Sequence, residues 1–272
     1  MAGAAAEGGR MNVVSLVLHA GLRDLSRNRW IVAYTLGFLA IAEGLFWFGG
    51  TGPQVLLSML NLVLLVLPLV ALVFGTIHVY ASREFVELLL AQPVPRRELF
   101  TGLYLGLALP LAGAFVVGAG VPFAIHASGG ASIGGVVALL GAGVGLSFAF
   151  AAIATWIALH TDDRLKGVGL ALGAWLAATV IYDGLVLGAA AAFGNYPLER
   201  PLLALMLANP VDVARVLVIT QLDVSALMGY TGALFQHTFG TSLGIGVAAA
   251  ALLGWWLVPL GFAGRRFLRR DF

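Results

Sequence analysis

Six long apolar stretches, separated by short polar segments, dominate this sequence. The hydrocarbon core of a bilayer is about 30 Å thick, so a helix needs about 20 mostly apolar residues to cross it. The stretches that reach this length are 30–48, 55–80, 99–125, 133–159, 165–193 and 241–264. The predicted fold class is therefore all-α, a polytopic membrane protein with six transmembrane helices.

The positions of the basic residues predict the orientation of the bundle. Only 10% of the residues are charged, against about 25% in an ordinary soluble domain, and the charges lie in short clusters between the spans. With the N-terminus in the cytoplasm, 13 of the 15 Lys and Arg residues are cytoplasmic, and only Arg200 and Arg215 are external. The positive-inside rule therefore places both termini of this chain in the cytoplasm.

The N-terminal region is predicted to lie on the membrane rather than cross it. Residues 1–10 are rich in Gly and Ala and are expected to be disordered. Between residues 11 and 29, polar side chains recur every three or four positions, opposite a row of Val and Leu. This periodicity predicts an amphipathic elbow helix at the cytoplasmic surface.

The first cytoplasmic connection, residues 82–100, reads SREFVELLLAQPVPRRELF. Ser82 is placed to cap a short helix over residues 82–91, and Pro93 would end it. Phe85, Leu88 and Leu89 would form an exposed apolar ridge, which predicts contact with a protein partner. The alternative is that this helix folds back onto the membrane surface.

The longest external segment, residues 194–240, is expected to form short helices over 200–222. Asn209 followed by Pro210 is a helix start signal, and that helix is predicted to continue through Ile219. Its Val and Leu residues favour packing into the outer membrane interface. The segment is too short for a large soluble domain, but long enough to form a docking platform or a gate.

Glycines four residues apart predict close helix packing in five places. The pairs are Gly102 and Gly106, Gly141 and Gly145, Gly169 and Gly173, Gly184 and Gly188, and Gly240 and Gly244. Small residues at this spacing let two helix backbones approach in lipid. The sequence favours packing inside one chain and leaves a dimer seam as the alternative.

The amino-acid composition excludes several kinds of functional site. With no cysteine, the chain has no disulfide, no thiolate metal ligand and no cysteine nucleophile. A phosphate-binding Walker loop needs Gly followed by Lys, but the only lysine, Lys166, follows Leu165. ATP and Mg²⁺ would therefore have to bind another chain, and we expect no cofactor and no catalytic residue here.

Charged residues inside spans are costly, so Glu43 and Asp183 invite a functional hypothesis. Both lie in the outer halves of their predicted spans and could mark a polar vestibule. The alternatives are a position at the membrane edge for Glu43 and a structural hydrogen bond for Asp183. In a stand-alone channel or carrier, these two carboxylates would bind a cation.

Imidazole and thioether side chains on the outer side suit copper. They are His126, His237, Met59, Met206 and Met228. No pair among them has the i, i+4 spacing of a helical metal site, so no metal site is predicted. An intramembrane enzyme is disfavoured too, because the chain has neither His-Glu-x-x-His nor paired aspartates in a span.

The run from Ser82 to Gly106, SREFVELLLAQPVPRRELFTGLYLG, resembles the coupling segment of ABC-2 type transporter permeases. The elbow helix, six spans and external helices also match that family, including its type V exporter-like fold. Three runs, YASREFVELLLAQP, LANPVDVARVLVITQLD and RRFLRRDF, are similar to the subgroup that serves maturation of the copper-sulfur centre of nitrous oxide reductase. Gliding-motility permeases share much of the first run, and a lipid or drug exporter is a further alternative.

The resemblance implies a bacterial inner-membrane permease with several partners: a second copy of itself, two ATP-binding-cassette ATPases in the cytoplasm and a β-helical periplasmic protein. It implies ATPase contact at Ser82, Arg83, Glu84, Phe85, Glu87, Leu88 and Leu89. A weaker contact could come from the second cytoplasmic loop, with Asp162, Asp163, Arg164 and Lys166, and a plain solvated loop is the alternative. Periplasmic partner contact is expected at Asn209, Asp212, Arg215 and Asp223.

Overall fold

The computed structural model describes residues 29–48, 51–92, 94–126, 130–193, 199–222 and 229–269, but not the side chains of 199–200 and 229–242. The predicted elbow helix lies outside the described residues except for Arg29. Ten α-helices occur in the described part, and no strand occurs there. They are α1 (Arg29–Trp47), α2 (Gly52–Ala81), α3 (Arg83–Leu90), α4 (Arg96–Ile125), α5 (Ile133–His160), α6 (Arg164–Leu176), α7 (Tyr182–Ala192), α8 (Glu199–Leu207), α9 (Pro210–Ile219) and α10 (Gly229–Arg269).

Six helical segments among the described residues are long and apolar enough to cross a membrane. They are α1, α2, α4, α5, the continuous segment Arg164–Ala192 and the part Leu243–Arg269 of α10. Within Arg164–Ala192, a π-helical turn at Ala177–Ile181 joins α6 to α7. The all-α fold with six spans is therefore confirmed.

Helix α5 occupies the centre of the bundle, where it packs against α2, α4, α9 and α10. Its closest approach to α4 depends on Gly143, because a Cβ there would overlap the ring of Phe115. Helix α1 also packs against α4. A Cβ on Gly118 would lie 2.6 Å from the Thr35 carbonyl oxygen of α1. Glycine is thus required at these two crossings.

The fifth span is the least buried part of the bundle and packs mainly along α2. Gly169, Gly173, Gly184 and Gly188 have nothing within 4 Å of the position that a Cβ would take. Gly145 of α5 differs, because Leu252 of α10 lies 3.3 Å from that position. Of the predicted pair on α5, Gly145 thus packs inside the chain while Gly141 has nothing within 4 Å, and the four glycines of the fifth span are all uncovered within one chain.

Helices α8 and α9 form a sharply bent pair, with an angle of 102° between Pro201–Leu207 and Pro210–Ile219. The predicted bounds of α9 match the observed ones, and the helix is buried on more sides than the one apolar side that the sequence predicted. Eight of its ten residues are buried, and α9 packs on α5 and α10 inside the bundle. Seven of these eight buried residues are apolar, so most of the helix surface favours burial over contact with water.

Helix α10 is much longer than the predicted span 241–264. It runs for 41 residues, which at 1.5 Å per residue is about 60 Å, twice the thickness of a bilayer core. The residues before 241 were expected to belong to an external segment, and those after 264 to a basic tail. The helix begins at Gly229 and continues through Arg269, so parts of both stretches are helical and continuous with the span, and their places outside the membrane remain predictions.

Candidate functional site

The short helix α3 connects α2 to α4 and presents two different faces. Val86 is buried and packs in a cluster with Leu99, Leu159, Ala263 and Phe267 from the ends of α4, α5 and α10, and Leu89 and Leu90 lie against the same cluster. On the other face, Phe85 is 43% exposed and Leu88 is 70% exposed. One side of α3 is thus fixed to the bundle, while an apolar ridge remains open on the other.

Two details of the predicted segment 82–91 are corrected. Leu89 does not belong to the exposed ridge, because it shares the inner face with Val86, three residues before it. Ser82 precedes α3, but its side chain makes no capping bond and instead donates from Oγ to the His78 carbonyl, 2.9 Å away. Because α2 ends at Ala81 and α3 begins at Arg83, the two helices are nearly continuous, so Ser82 has helical backbone angles rather than the extended angles of a cap.

The connection between α5 and α6 meets the start of α3 through Arg83. The Arg83 Nη2 donates to the carbonyls of Ala158 and Thr161 at 2.9 and 2.8 Å, and Nη1 donates to the Asp162 carbonyl at 3.2 Å. The Asp162 carboxylate lies 3.8 Å away and is largely exposed. The structure therefore brings together the two predicted cytoplasmic segments.

Tyr80 reinforces the same contact from the last turn of α2. Its hydroxyl lies 2.9 Å from the Thr161 carbonyl and 3.3 Å from that of Asp163, and the Arg83 guanidinium lies 4.4 Å from its ring centroid. Gly167 makes room for this phenol, since a Cβ there would collide with the hydroxyl. Sequence reasoning missed Tyr80, because a tyrosine at the end of a span is usually an interfacial anchor.

Asp163 and its neighbours have local roles in the second connection. The Asp163 carboxylate accepts hydrogen bonds from the Leu165 and Lys166 amides, at 2.8 and 3.4 Å, and so caps α6. Arg164 and Lys166 are exposed in the first turn of that helix. A contact of these residues with an ATPase remains a prediction.

The opposite end of the bundle contains a polar network between α9 and the fifth span. Arg215 lies 3.0 Å from the Asp183 carboxylate and 3.2 Å from that of Asp212, one helical turn away. Asn209 accepts from the Val211 amide at 3.0 Å, as predicted for the cap, and its Nδ2 donates to the Ala178 carbonyl at 2.8 Å. Ala178 belongs to the π-helical turn, so this network holds α9 against the irregular part of the fifth span.

This network corrects the predicted contact of Asn209 and Asp212 with a periplasmic partner. Asn209 is 2% exposed and Asp212 is 9% exposed, and both side chains bond within the chain. Burying polar groups is costly unless they are paired, and this pairing explains why they lie inside. Arg215 is only partly buried but is engaged by both carboxylates, and Asp223 lies outside the described residues.

Glu43 and Asp183, the two carboxylates expected to mark a vestibule, are each engaged by a different basic residue. Glu43 on α1 lies 3.9 Å from His126 Nε2 at the end of α4, and the His126 ring stacks on Phe46. Asp183 pairs with Arg215, which matches the alternative of a structural hydrogen bond. Asp183 is paired and Glu43 lies close to His126, so the prediction of a polar vestibule gains no support.

The residues weighed as copper ligands do not converge in the described part of the chain. Met59 and Met206 are buried in the apolar core, and His126 Nδ1 lies 3.0 Å from the Pro122 carbonyl. His237 and Met228 lie where side chains are not described. No group of three His, Cys, Asp or Glu residues that could hold a metal ion occurs among the described residues.

Six apolar spans and an amphipathic helix between the second and third of them are the features of a membrane-embedded permease subunit. A family model described as ABC-2 family transporter protein matches residues 31–272. This chain belongs to the ABC-2 transporter family.

Two relatives carry the name "Probable ABC transporter permease protein NosY". The relative from Stutzerimonas stutzeri is 28% identical over 281 residues, covering 96% of this chain and 99% of its own length. The relative from Pseudomonas aeruginosa is 28% identical over 236 residues, covering 80% of this chain and 86% of its own length. The chain is thus an ABC transporter permease similar to NosY over most of its length.

Proposed function

We propose that this permease converts ATP hydrolysis by a separate ATPase subunit into movement of its membrane helices through α3. The observation that supports this most directly is the division of α3 into two faces. Val86 and Leu89 join it to the ends of three spans, whereas Phe85 and Leu88 stay exposed beside Glu84 and Glu87. A helix held in this way can receive a force on one face and pass it to the bundle on the other.

We infer that the ATPase is a separate subunit, because these 272 residues contain no Gly-Lys pair of a phosphate-binding loop. ATP and Mg²⁺ would bind that partner, and this chain would be a non-catalytic subunit. We place α3 and both termini in the cytoplasm, on the inner membrane of a bacterium, from the distribution of Arg residues. Glu84, Phe85, Glu87 and Leu88 are the proposed contact, with Arg83 positioning the helix.

The complex is proposed to contain two copies of this permease and two ATPases. The uncovered glycines of the fifth span support a contact between copies, because small residues allow close helix approach in lipid. A periplasmic partner of β-helical type would dock on the end of the bundle that carries α8 and α9. With Asn209 and Asp212 buried, its contacts would have to come from other residues at that end.

The biological task that we propose is maturation of the copper-sulfur centre of nitrous oxide reductase. It rests on the three sequence runs given above and on the similarity to the NosY proteins. Cells without this chain are expected to make nitrous oxide reductase that lacks the absorption bands of its copper-sulfur centre. A normal spectrum of the enzyme from those cells would contradict the proposed role in maturation, but not the function as a permease.

ATPase docking is tested by placing a charge on the exposed ridge. Phe85→Asp and Leu88→Asp are expected to abolish co-purification of the ATPase in mild detergent, because each puts a carboxylate into an apolar contact. Ile133→Asp is the matched control, since Ile133 is also an exposed apolar residue, at the opposite end of the bundle. Retention of the ATPase by both ridge variants would contradict the proposal.

A further inference from the structure

The first turn of α3 is bound by hydrogen bonds to the end of the central helix α5, which is distant from it in sequence. Arg83 reaches the last turn of α5 and the residues just beyond it, where its guanidinium donates to three carbonyls. Carbonyls at the C-terminal end of a helix lack partners within the helix, and a positive charge there interacts favourably with the helix dipole. The planar guanidinium suits this arrangement, because several of its donors point in fixed directions.

This contact is separate from the apolar anchor of α3. Val86 and Leu89 hold the helix to a cluster at the ends of α4, α5 and α10, whereas Arg83, its first residue, binds backbone carbonyls in the last turn of α5 and just after it. The Tyr80 hydroxyl lies within hydrogen-bond distance of the Thr161 and Asp163 carbonyls, of which the Thr161 carbonyl also accepts from Arg83, and its ring supports the guanidinium. Two side chains from consecutive helices thus fix one short segment, residues 161–163.

We propose that Arg83 is a positioning residue that makes α3 and segment 161–163 move as one rigid unit. A displacement of α3 would then reach α5 through these backbone contacts as well as through the apolar cluster, which includes Leu159 of α5. Because α5 packs against α2, α4, α9 and α10, this route leads from α3 to α9 at the opposite end of the bundle. The proposal deepens the proposed function and rests on α3 being the place where the ATPase acts.

The absence of cysteine in this chain makes a direct distance measurement possible. Spin labels are attached to Gln92→Cys, just after α3, and to Leu165→Cys in the first turn of α6, because both positions are exposed and neither belongs to the proposed ATPase contacts. The distance between the two labels is measured by pulsed electron paramagnetic resonance in lipid nanodiscs. It is measured first on the permease alone and then on its complex with the ATPase, with and without ATP. With Arg83 present, we expect one narrow distance distribution that ATP leaves unchanged.

In Arg83→Gln, the distribution is expected to broaden in the permease alone and to change with ATP in the complex. Arg83→Lys should give an intermediate result, since an ammonium group cannot reproduce the fork of guanidinium donors. Arg97→Gln is the matched control, because Arg97 is exposed in the first turn of α4. A distribution in Arg83→Gln that superimposes on that of the unsubstituted protein would overturn the proposal.

Two further measurements keep the test decisive. Thermal unfolding shows whether Arg83→Gln folds. If it does not, the same distance measurement on Tyr80→Phe and Arg83→Lys tests whether α3 and segment 161–163 form one rigid unit, since Tyr80→Phe removes only the hydroxyl bonds. Co-purification of the ATPase with the unsubstituted permease tests the proposed function by itself. A narrow distance distribution in a permease that binds no ATPase would contradict the proposed function but not the role of Arg83. A bound ATPase with unaltered distances in Arg83→Gln would contradict the role of Arg83 but not the proposed function.

Discussion

Arg215 of α9 and Asp183 of α7 form an ion pair with a separation of 3.0 Å between nitrogen and oxygen. The pair joins a short helix between spans five and six to the fifth span, 32 residues earlier in the chain. Arg215 also neutralises Asp212, which is almost fully buried. A single guanidinium therefore pairs with two carboxylates, so we expect the stability of this end of the bundle to depend on it.

Replacing Arg215 is expected to destabilise the protein more than replacing Asp183. Arg215→Gln leaves both carboxylates without their cation, and an unsatisfied buried charged group costs about 1–3 kcal/mol or more. Asp183→Asn leaves the pair of Arg215 with Asp212 intact and should cost less. Thermal unfolding in detergent measures both variants, and an Arg215→Gln protein as stable as Arg97→Gln would contradict this prediction.

Asn209 is expected to have two separable contributions to stability. Asn209→Ala removes the cap of α9, which costs about 0.5–2 kcal/mol, and also the bond to the Ala178 carbonyl. Asn209→Ser keeps a capping oxygen but cannot reach Ala178. The unfolding temperature should be highest for the unsubstituted protein, lower for the Ser variant and lowest for the Ala variant. Hydrogen exchange at 177–181 should rise in both variants, and unchanged exchange would mean that Asn209 does not stabilise the π-helical turn.

Two glycines of α4 should respond in opposite directions to alanine. At Gly118 a Cβ would lie 2.6 Å from the Thr35 carbonyl oxygen, so Gly118→Ala forces α1 and α4 apart and should cost about 1–3 kcal/mol. At Gly113 nothing lies within 4 Å, so Gly113→Ala should gain up to about 1 kcal/mol of helix propensity. Equal unfolding temperatures for the two variants would show that α1 does not pack as closely as described.

The glycines of the fifth span are expected to affect association rather than the fold of one chain. Gly173→Leu adds a side chain where the chain itself has no contact, so the variant should insert and unfold normally but form fewer dimers. Gly145→Leu is the comparison, because Leu252 lies 3.3 Å from its Cβ position and the single chain should be destabilised. Chemical crosslinking in the membrane measures the dimer. A normal dimer yield for Gly173→Leu would place the interface elsewhere.

The sequence by itself determined the number of spans, the fold class and the start of α9. These features depend on local composition: long apolar runs without charges, and the pair Asn209–Pro210, which sets a helix start within a few residues. The two faces of α3 were predicted only in part. Phe85 and Leu88 are exposed, as expected, but Leu89 is covered by side chains from the ends of distant helices.

Only the tertiary structure decided where the polar residues go. The partners of Arg83 lie about 75 residues away and those of Arg215 include Asp183, 32 residues away. No local pattern encodes such pairs, because they arise when helices that are far apart in sequence pack side by side. The burial of α9 has the same origin, since an apolar helix can lie in lipid or in protein, and its neighbours α5 and α10 decide which.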